Sequence, residues 1–188
     1  MANFASKPVY SDDFIRALGF AASAHSRQLR NGGFPYFSHL MAVSALVFEA
    51  GGTEAEAMSA LLHDAVEDVG CKLSTINDQF GATVSNIVAA LTEQQELPFA
   101  ERKDGYVSQV GNADDSAKLI SCADKLHNLR SYATDGRSLW KPKTKAFYGA
   151  LMPIYQGCDR VPQYWIEEMQ RLLLSLDCNQ ATAIVAEL

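Results

Sequence analysis

The stretch LLHDAVED at positions 61–68 places one imidazole and three carboxylates within six residues at the end of an apolar segment. Such groups are costly to bury unless they hold something, and a divalent cation turns clustered carboxylates from mutual repulsion into coordination. On a continuous helix, His63 and Glu67 lie four residues apart on one stripe. Asp64 and Asp68 lie four apart on the neighbouring stripe, so all four side chains point into one quadrant. The stretch therefore predicts one wall of a metal site.

Two residues far from this stretch complete the predicted ligand set. His39 ends the segment PYFSH near the start of another helix, and Asp124 lies in the segment CADKLHN inside a third. Together with His63 and Asp64 they supply two nitrogen and two oxygen ligands, a mixed set that suits Mn, Fe, Zn or Co. Three or four protein ligands leave positions for water and a substrate oxygen, which is typical of a catalytic site. Each residue alone also fits an ordinary structural role, and only their coincidence favours a metal.

Length and hydropathy pattern predict the fold class. The 188 residues leave no room for a second catalytic module of ordinary size, and a hydrophobic fraction of 48% is ample for a packed core. Apolar residues recur mainly at helical spacing, and alternating strand patterns are scarce. The chain is therefore predicted to form a single all-α domain over residues 1–188.

Capping residues and glycines set the predicted helix limits. Ser11 caps the first helix, which runs toward Leu29. Thr53 and Glu56 form a capping box for the helix that enters the His-Asp stretch and continues to Gly70. The other helices are expected at about 38–50, 74–80, 84–91, 99–110, 114–133, 143–156 and 163–176, with interruptions that include Gly81 and Asp135-Gly136.

Charge and composition restrict the partners. The formal charge of -6 argues against non-specific binding to a nucleic-acid backbone, although a local basic patch can still hold a small anion. The four cysteines match no zinc-ribbon or CxxC spacing and indicate reduced thiols. No apolar run is long enough to span a bilayer, and the first eight residues lack the character of a signal peptide. We therefore expect a cytoplasmic protein with a small-molecule partner, with its oligomeric state left open.

The order of these motifs resembles the HD superfamily of metal-dependent phosphohydrolases and, within it, the hydrolase domain of the RelA/SpoT proteins. The matching segments are AHSRQLR at 24–30, PY at 35–36, ALLHDAVED at 60–68, ERK at 101–103 and ADKLHNLR at 123–130. The resemblance covers roughly residues 11–150. With no synthetase or regulatory domain expected, the chain is most similar to the small, hydrolase-only alarmone enzymes (the Mesh1-like group).

This resemblance implies an HD-domain helical bundle and a manganese-dependent reaction of the stringent response. The implied reaction removes pyrophosphate from the 3′ position of guanosine tetra- and pentaphosphate, ppGpp and pppGpp, and gives GDP or GTP. Carried over by position, the implied site residues are the Mn²⁺ ligands His39, His63, Asp64 and Asp124, the catalytic pair Glu67 and Asp68, and the nucleotide contacts Arg30, Asn128, Arg102, Lys103 and Tyr148. Of these, Tyr148 also has the helical spacing to Trp140 that is typical of core packing.

The sequence departs from the family pattern at three places. Leu40 follows the first metal histidine, where the family usually has proline. Asn31 follows Arg30, where a basic residue is common, and Ser121-Cys122 replaces the commoner Lys-Leu. No metal ligand is lost, but the loss of two basic side chains leaves the substrate open. Two alternatives therefore stand beside the alarmone hydrolase: an HD phosphohydrolase acting on another phosphorylated nucleotide such as NADPH, and a non-catalytic nucleotide sensor.

Overall fold

The computed structural model describes residues 10–30, 32–134 and 140–186, with side chains described as far as Asp177. The predicted turn at Asp135-Gly136 and the substitution at Asn31 lie outside these residues. The described part is all-α, as predicted, and holds one isolated antiparallel bridge, between Leu29 and Pro35. None of its helices is long and apolar enough to cross a membrane. The helices are α1 Asp12–Ala24, α2 Phe37–Glu49, α3 Glu54–Leu62, α4 Ala65–Val69, α5 Leu73–Leu91, α6 Phe99–Asn112, α7 Asp115–Thr134, α8 Pro142–Gln156 and α9 Gln163–Ala186.

The first helix is shorter than the sequence suggests. Ser11 caps α1 as predicted, its hydroxyl accepting from the amide of Asp13 at 3.2 Å. The helix ends at Ala24 rather than near Leu29. The chain then folds back on itself, because the amide of Arg30 donates to the Phe34 carbonyl at 2.8 Å across a turn with a left-handed glycine, Gly33. This turn delivers the chain to α2.

The expected continuous helix through the His-Asp stretch is wrong. The capping box of Thr53 and Glu56 forms as predicted, but α3 ends at Leu62 and α4 begins only at Ala65. The Ala60 carbonyl, which in a continuous helix accepts from the amide four residues later, accepts from Nδ1 of His63 at 2.8 Å. The His63 imidazole thus replaces a backbone donor at the break between α3 and α4. Gly70, at φ 67°, ends α4 as predicted, and Gly81, at φ 86°, interrupts α5.

Helix α7 runs through the interior, and this explains how a carboxylate can lie deep in the protein. A helix that is apolar around most of its circumference is buried on most sides. The α7 residues with no exposed surface are Ala117, Leu119, Ile120, Cys122, Ala123, Leu126 and Leu129. They pack in the larger of two hydrophobic clusters, together with α2, α6, α8 and α9. Asp124 is on the same helix and is 5% exposed.

Ser121 is buried in the core. It is 1% exposed, and its Oγ lies 2.9 Å from the hydroxyl of Tyr106 and 2.8 Å from that of Tyr155. Two buried phenol hydroxyls thereby gain a partner, which buried polar groups require. The replacement of a basic residue here therefore bears on core packing, and its effect on the substrate stays a prediction.

Glu56 joins the α3 capping box to the segment between α8 and α9. Its carboxylate accepts from both terminal nitrogens of Arg160, at 2.6 and 3.0 Å, and from the amide of Thr53 at 2.6 Å. Burial alone would raise the pKa of Glu56, but the hydrogen bonds from Arg160 and Thr53 lower it to about 2. The folded protein therefore stabilises the ionised form of this carboxyl group.

We expect Arg160→Ala to lower the free energy of unfolding by about 1.5–3 kcal/mol at neutral pH, because it leaves a buried carboxylate without its charged donor. Because the pKa of Glu56 is depressed in the folded state, this contribution is complete above the ordinary value of 4.5 and is lost as the pH falls toward 2. Urea unfolding at pH 7 and pH 3 measures both. Arg16→Ala is the control: its ion pair with Asp13 is exposed, and a change below about 1 kcal/mol is expected. If Arg160→Ala lowered the free energy of unfolding equally at the two pH values, Arg160 would not act through the ionised form of Glu56.

Candidate active site

The four predicted metal ligands meet between α2, the α3–α4 junction and α7. Nε2 of His39 lies 3.1 Å from Oδ1 of Asp124, and Nε2 of His63 lies 3.7 Å from the same oxygen. Oδ2 of Asp64 lies 3.0 Å from Nε2 of His63 and 3.8 Å from Nε2 of His39. Both histidines and Asp124 are at most 5% exposed, whereas the Asp64 side chain is 18% exposed. Three residues of the cluster are thus buried, and the cluster is accessible to solvent at Asp64.

The donor atoms fit a cation. Nε2 of His39 and Nε2 of His63 are buried and have no hydrogen-bond partner. Ligand atoms of His39, His63 and Asp124 all lie within 4.8 Å of one another. Buried polar atoms in proteins almost always have partners, so two orphaned imidazole nitrogens aimed at carboxylates call for a ligand. These residues can hold a divalent ion.

The electrostatics of the cluster point the same way. Burial would raise the pKa of Asp124, but Lys125 and the two imidazoles hold it well below its usual range. Burial would lower the pKa of His63, but the charges of Asp64 and Asp124 raise it well above its usual value. The two carboxylates therefore require positive charge at this point, which either a metal ion or a proton on His63 supplies.

The outer ring nitrogens of both histidines are already engaged. Because Nδ1 of His63 donates to the Ala60 carbonyl, Nε2 of His63 carries the free lone pair. Nδ1 of His39 lies 2.9 Å from Nδ1 of His127. Burial, then the neighbouring His39, lowers the pKa of His127 to about 4, so His127 is neutral and can accept this hydrogen bond. Such outer partners orient metal-binding imidazoles. Sequence reasoning did not single out His127, although it lies three residues after Asp124 on the same helix.

We expect His127→Ala to weaken metal binding by about 10–100-fold, because the His39 ring loses the group that orients it. A competition titration against a chelating dye measures the affinity. Lys118→Ala is a matched control on the same helix, since Lys118 forms an ion pair with exposed Asp115 at 3.4 Å. If both variants bind the metal as the unsubstituted protein does, His127 has no part in orienting His39.

Glu67 faces the same cavity as the ligand cluster. This cavity of about 90 Å³ is lined by Glu67 and by three of the ligands, His63, Asp64 and Asp124. The Glu67 carboxylate accepts from the amide of Glu93 at 2.5 Å and from the Gln95 side chain at 2.7 Å. Burial, reinforced by the charges of Glu93 and Asp64, raises the pKa of Glu67 to about 7 despite the amide hydrogen bond. A carboxyl group with such a pKa can exchange protons near neutral pH.

Asp68, the other member of the expected catalytic pair, is placed differently. It is exposed, and its Oδ2 accepts from Nε2 of Gln28 at 2.7 Å. The Oε1 atom of Gln28 in turn accepts from Nδ1 of His25 at 2.6 Å, and the His25 ring stacks on Tyr36 at 5.4 Å between centroids. Asp68 is therefore held from the segment that follows α1, while Glu67 is held from the segment that follows α5.

Arg30 and Asn128 lie together beside the metal cluster. Nη2 of Arg30 donates to Oδ1 of Asn128 at 2.8 Å, and Nδ2 of Asn128 donates to Oδ1 of Asp124 at 2.6 Å. The Arg30 guanidinium also lies 5.8 Å from the ring centroid of Tyr36. Arg30, Tyr36 and Asn128 line a cavity of about 180 Å³, and the last two also line the smaller cavity at the metal cluster. The two cavities therefore share a wall.

The three other expected substrate contacts occupy two different places. Arg102 and Lys103 both form ion pairs with Glu93, with N–O distances of 3.0 and 2.5 Å. Tyr148 is 3% exposed and packs in the core, with its ring centroid 5.6 Å from that of Trp140. The structure thus brings Arg102 and Lys103 to the edge of the site, through Glu93, and gives Tyr148 a packing position instead.

Comparison with known proteins identifies the family. The model of the HD domain family matches residues 17–156, the part of the chain that carries His39, His63, Asp64 and Asp124. The chain belongs to the HD domain family. The all-α fold and the buried His-His-Asp group are typical of this family, so the predicted fold class and superfamily are confirmed.

Relatives of this HD-domain protein include metazoan hydrolases. Mouse MESH1, a guanosine-3′,5′-bis(diphosphate) 3′-pyrophosphohydrolase, is 41% identical over 120 residues, which are 62% of this chain and 67% of the mouse protein. MESH1 of Drosophila melanogaster is 34% identical over 142 residues, 73% of this chain and 79% of the fly protein. A solved structure of a metazoan SpoT orthologue that hydrolyses ppGpp has a TM-score of 0.75 and 30% identity, covering 92% of this chain and 95% of that one. The predicted enzyme class, an HD phosphohydrolase homologous to these proteins, is confirmed.

Proposed function

We propose that this HD-domain protein removes pyrophosphate from the 3′ position of ppGpp and pppGpp and releases GDP and GTP. The observation that carries the proposal is one cavity lined both by the metal-binding cluster and by Glu67, a carboxyl group whose pKa is raised to about 7. The MESH1 relatives, whose names state this reaction, add support. We propose Mn²⁺ as the metal, since two imidazoles and two carboxylates suit it.

The ligand residues supply the charge environment that such a reaction needs. His39, His63, Asp64 and Asp124 would hold a divalent ion, which when bound would polarise a phosphoryl oxygen and lower the pKa of a water molecule. Nζ of Lys125 lies 2.6 Å from Oδ2 of Asp124, whereas Oδ1 accepts from Asn128 and also faces the imidazoles. The hydroxyl of Tyr36 donates to Oδ2 of Asp64 at 2.6 Å and so restrains the oxygen that lies 3.0 Å from Nε2 of His63.

Glu67 is proposed as the general base. Its carboxylate accepts a proton from the attacking water, a contribution of about 10²–10⁴-fold in rate. The hydrogen bonds from Glu93 and Gln95 restrict its rotation, while each carboxylate oxygen keeps a second lone pair for the water. Asp68, whose carboxylate is held by Gln28 outside this cavity, is proposed to position the substrate at the reaction centre.

Arg30 and Asn128 are proposed as nucleotide contacts. The planar guanidinium of Arg30 can take a phosphate in its fork or stack on a purine. Asn128 presents amide groups for hydrogen bonds while it remains bound to Asp124, which couples the nucleotide cavity to the metal cluster. With a formal charge of -6 for the whole chain, cations at this site are needed to offset the charge of the substrate.

Turnover of a nucleotide panel tests the proposal. The purified protein, loaded in turn with Mn²⁺, Fe²⁺, Zn²⁺ and Co²⁺, is given ppGpp, pppGpp and NADPH, and pyrophosphate and phosphate release are measured separately. The proposal expects pyrophosphate release from ppGpp with the highest kcat/KM in Mn²⁺. A much larger kcat/KM for NADPH would favour the alternative phosphohydrolase. Tight nucleotide binding without turnover in any metal would favour a sensor.

A further inference from the structure

Glu93 is a buried carboxylate at the edge of the proposed active site. It is 8% exposed and lines the 90 Å³ cavity together with Glu67. Its two oxygens take separate cations: Oε1 lies 2.5 Å from Nζ of Lys103, and Oε2 lies 3.0 Å from Nε of Arg102. The backbone amide of Glu93 donates to the Glu67 carboxylate, and this contact does not involve the Glu93 side chain. Within the described residues, the side chain of Glu93 therefore pairs with two cations of the neighbouring helix α6.

One of these cations, Lys103, connects Glu93 in the first cavity to a second cavity. Lys103 also lines a cavity of about 290 Å³, together with Phe99, Lys143 and Phe147. The Lys103 ammonium lies 4.7 Å from the ring centroid of Phe147, and that of Lys143 lies 4.2 Å from the centroid of Phe99. Lys103 does not line the cavity at the metal cluster itself, but it reaches Glu93 there, so a nucleotide that extends past Glu93 would bring a second phosphate group toward Lys103.

We propose that Glu93 is a specificity-determining residue, acting as a built-in counter-anion that limits the affinity of Arg102 and Lys103 for a second phosphate group of the substrate. The inference rests on the proposed function, because the second phosphate group belongs to the substrate named there. Arg102, Lys103 and Glu93 together carry one net positive charge. A phosphate group that approaches them must share the donors with the carboxylate.

The charges give opposite expectations for single variants. Glu93→Gln raises the net charge of the three side chains from one to two, and Lys103→Gln lowers it to zero. One charge at a few ångströms in a partly hydrated site changes anion affinity by about three- to tenfold. The double variant Glu93→Gln/Lys103→Gln has the original net charge of one, so its affinity should return close to that of the unsubstituted protein. The backbone hydrogen bond to Glu67 is available in all three variants.

Binding of inorganic pyrophosphate to the Mn²⁺-loaded protein, measured by isothermal titration calorimetry, tests this inference. We expect Kd to fall about three- to tenfold in Glu93→Gln, to rise by a similar factor in Lys103→Gln and to return within about twofold in the double variant. With ppGpp as substrate, KM should follow Kd while kcat changes less. Glu96→Gln is the matched control, because Glu96 is exposed in the same segment and its loss removes the same charge.

Unchanged or weaker pyrophosphate binding in Glu93→Gln would overturn the inference, and so would a double variant that stays as weak as Lys103→Gln. If Glu93→Gln does not fold, Lys103→Gln decides, since unchanged binding there removes the proposed subsite. A protein that binds pyrophosphate as expected but releases none from ppGpp would disprove the proposed function and leave the charge balance supported.

Discussion

Asp64→Asn is expected to lower kcat/KM for ppGpp by about 10³-fold or more, with loss of bound metal, since a catalytic cation is worth several kcal/mol of transition-state stabilisation. Burial would raise the pKa of Asp64, but the charge of His63 holds it well below its usual range, so the carboxylate is ionised throughout the assay range. The asparagine side chain preserves the volume and can still accept from Tyr36, but it carries no charge to hold a cation.

The metal content of the purified variant, measured by mass spectrometry, separates this cause from unfolding. Circular dichroism should show the helical content of the unsubstituted protein, because the Asp64 side chain lies at the open edge of the cluster. Asp78→Asn is the matched control: it makes the same chemical change at an exposed position of α5 and should alter neither metal content nor kcat/KM. An Asp64→Asn protein that keeps its metal and its activity would contradict the ligand assignment.

The convergence of these side chains could be predicted from sequence because they are distinctive residues in three short motifs. Each motif lies on a segment whose apolar spacing turns it toward the interior, so that His39, the His63-Asp64 pair and Asp124 converge once the helices pack. The break between α3 and α4 was beyond such reasoning. It accompanies a hydrogen bond from one imidazole to the Ala60 carbonyl, and a periodic pattern carries no information on that choice.

The contacts behind the ligands could not be predicted either, because they depend on how separate helices pack. Glu93 follows α5 and reaches cations on α6, and His127 is significant only because α2 brings His39 to within 2.9 Å of it. Ser121 shows the converse: aligned against a family pattern it suggests a lost substrate contact, but its surroundings are two tyrosine hydroxyls in the core. The residue types in a segment indicate which chemistry it can support. Which other residues they contact is decided by the tertiary structure.

The other large effect is expected at Glu67. Glu67→Gln should lower kcat by about 10²–10⁴-fold, because an amide cannot accept the proton of the attacking water. The metal content and the KM for ppGpp should stay close to those of the unsubstituted protein, since Glu67 lines the cavity without belonging to the ligand cluster. Steady-state kinetics with metal analysis on the same preparation measures all three quantities.

The pH dependence of kcat/KM tests the role of Glu67 as a general base most directly. A general base acts when it is deprotonated, so kcat/KM of the unsubstituted protein should rise with pH and level off above about 7, the value to which burial and the neighbouring carboxylates raise the pKa of Glu67. In Glu67→Gln the rise should be missing from the residual activity, whereas Glu96→Gln, an exposed glutamate in the segment after α5, should retain it. A residual activity that still rises through the same pH range would assign the proton transfer to another group, and Asp68→Asn would be the next variant to measure.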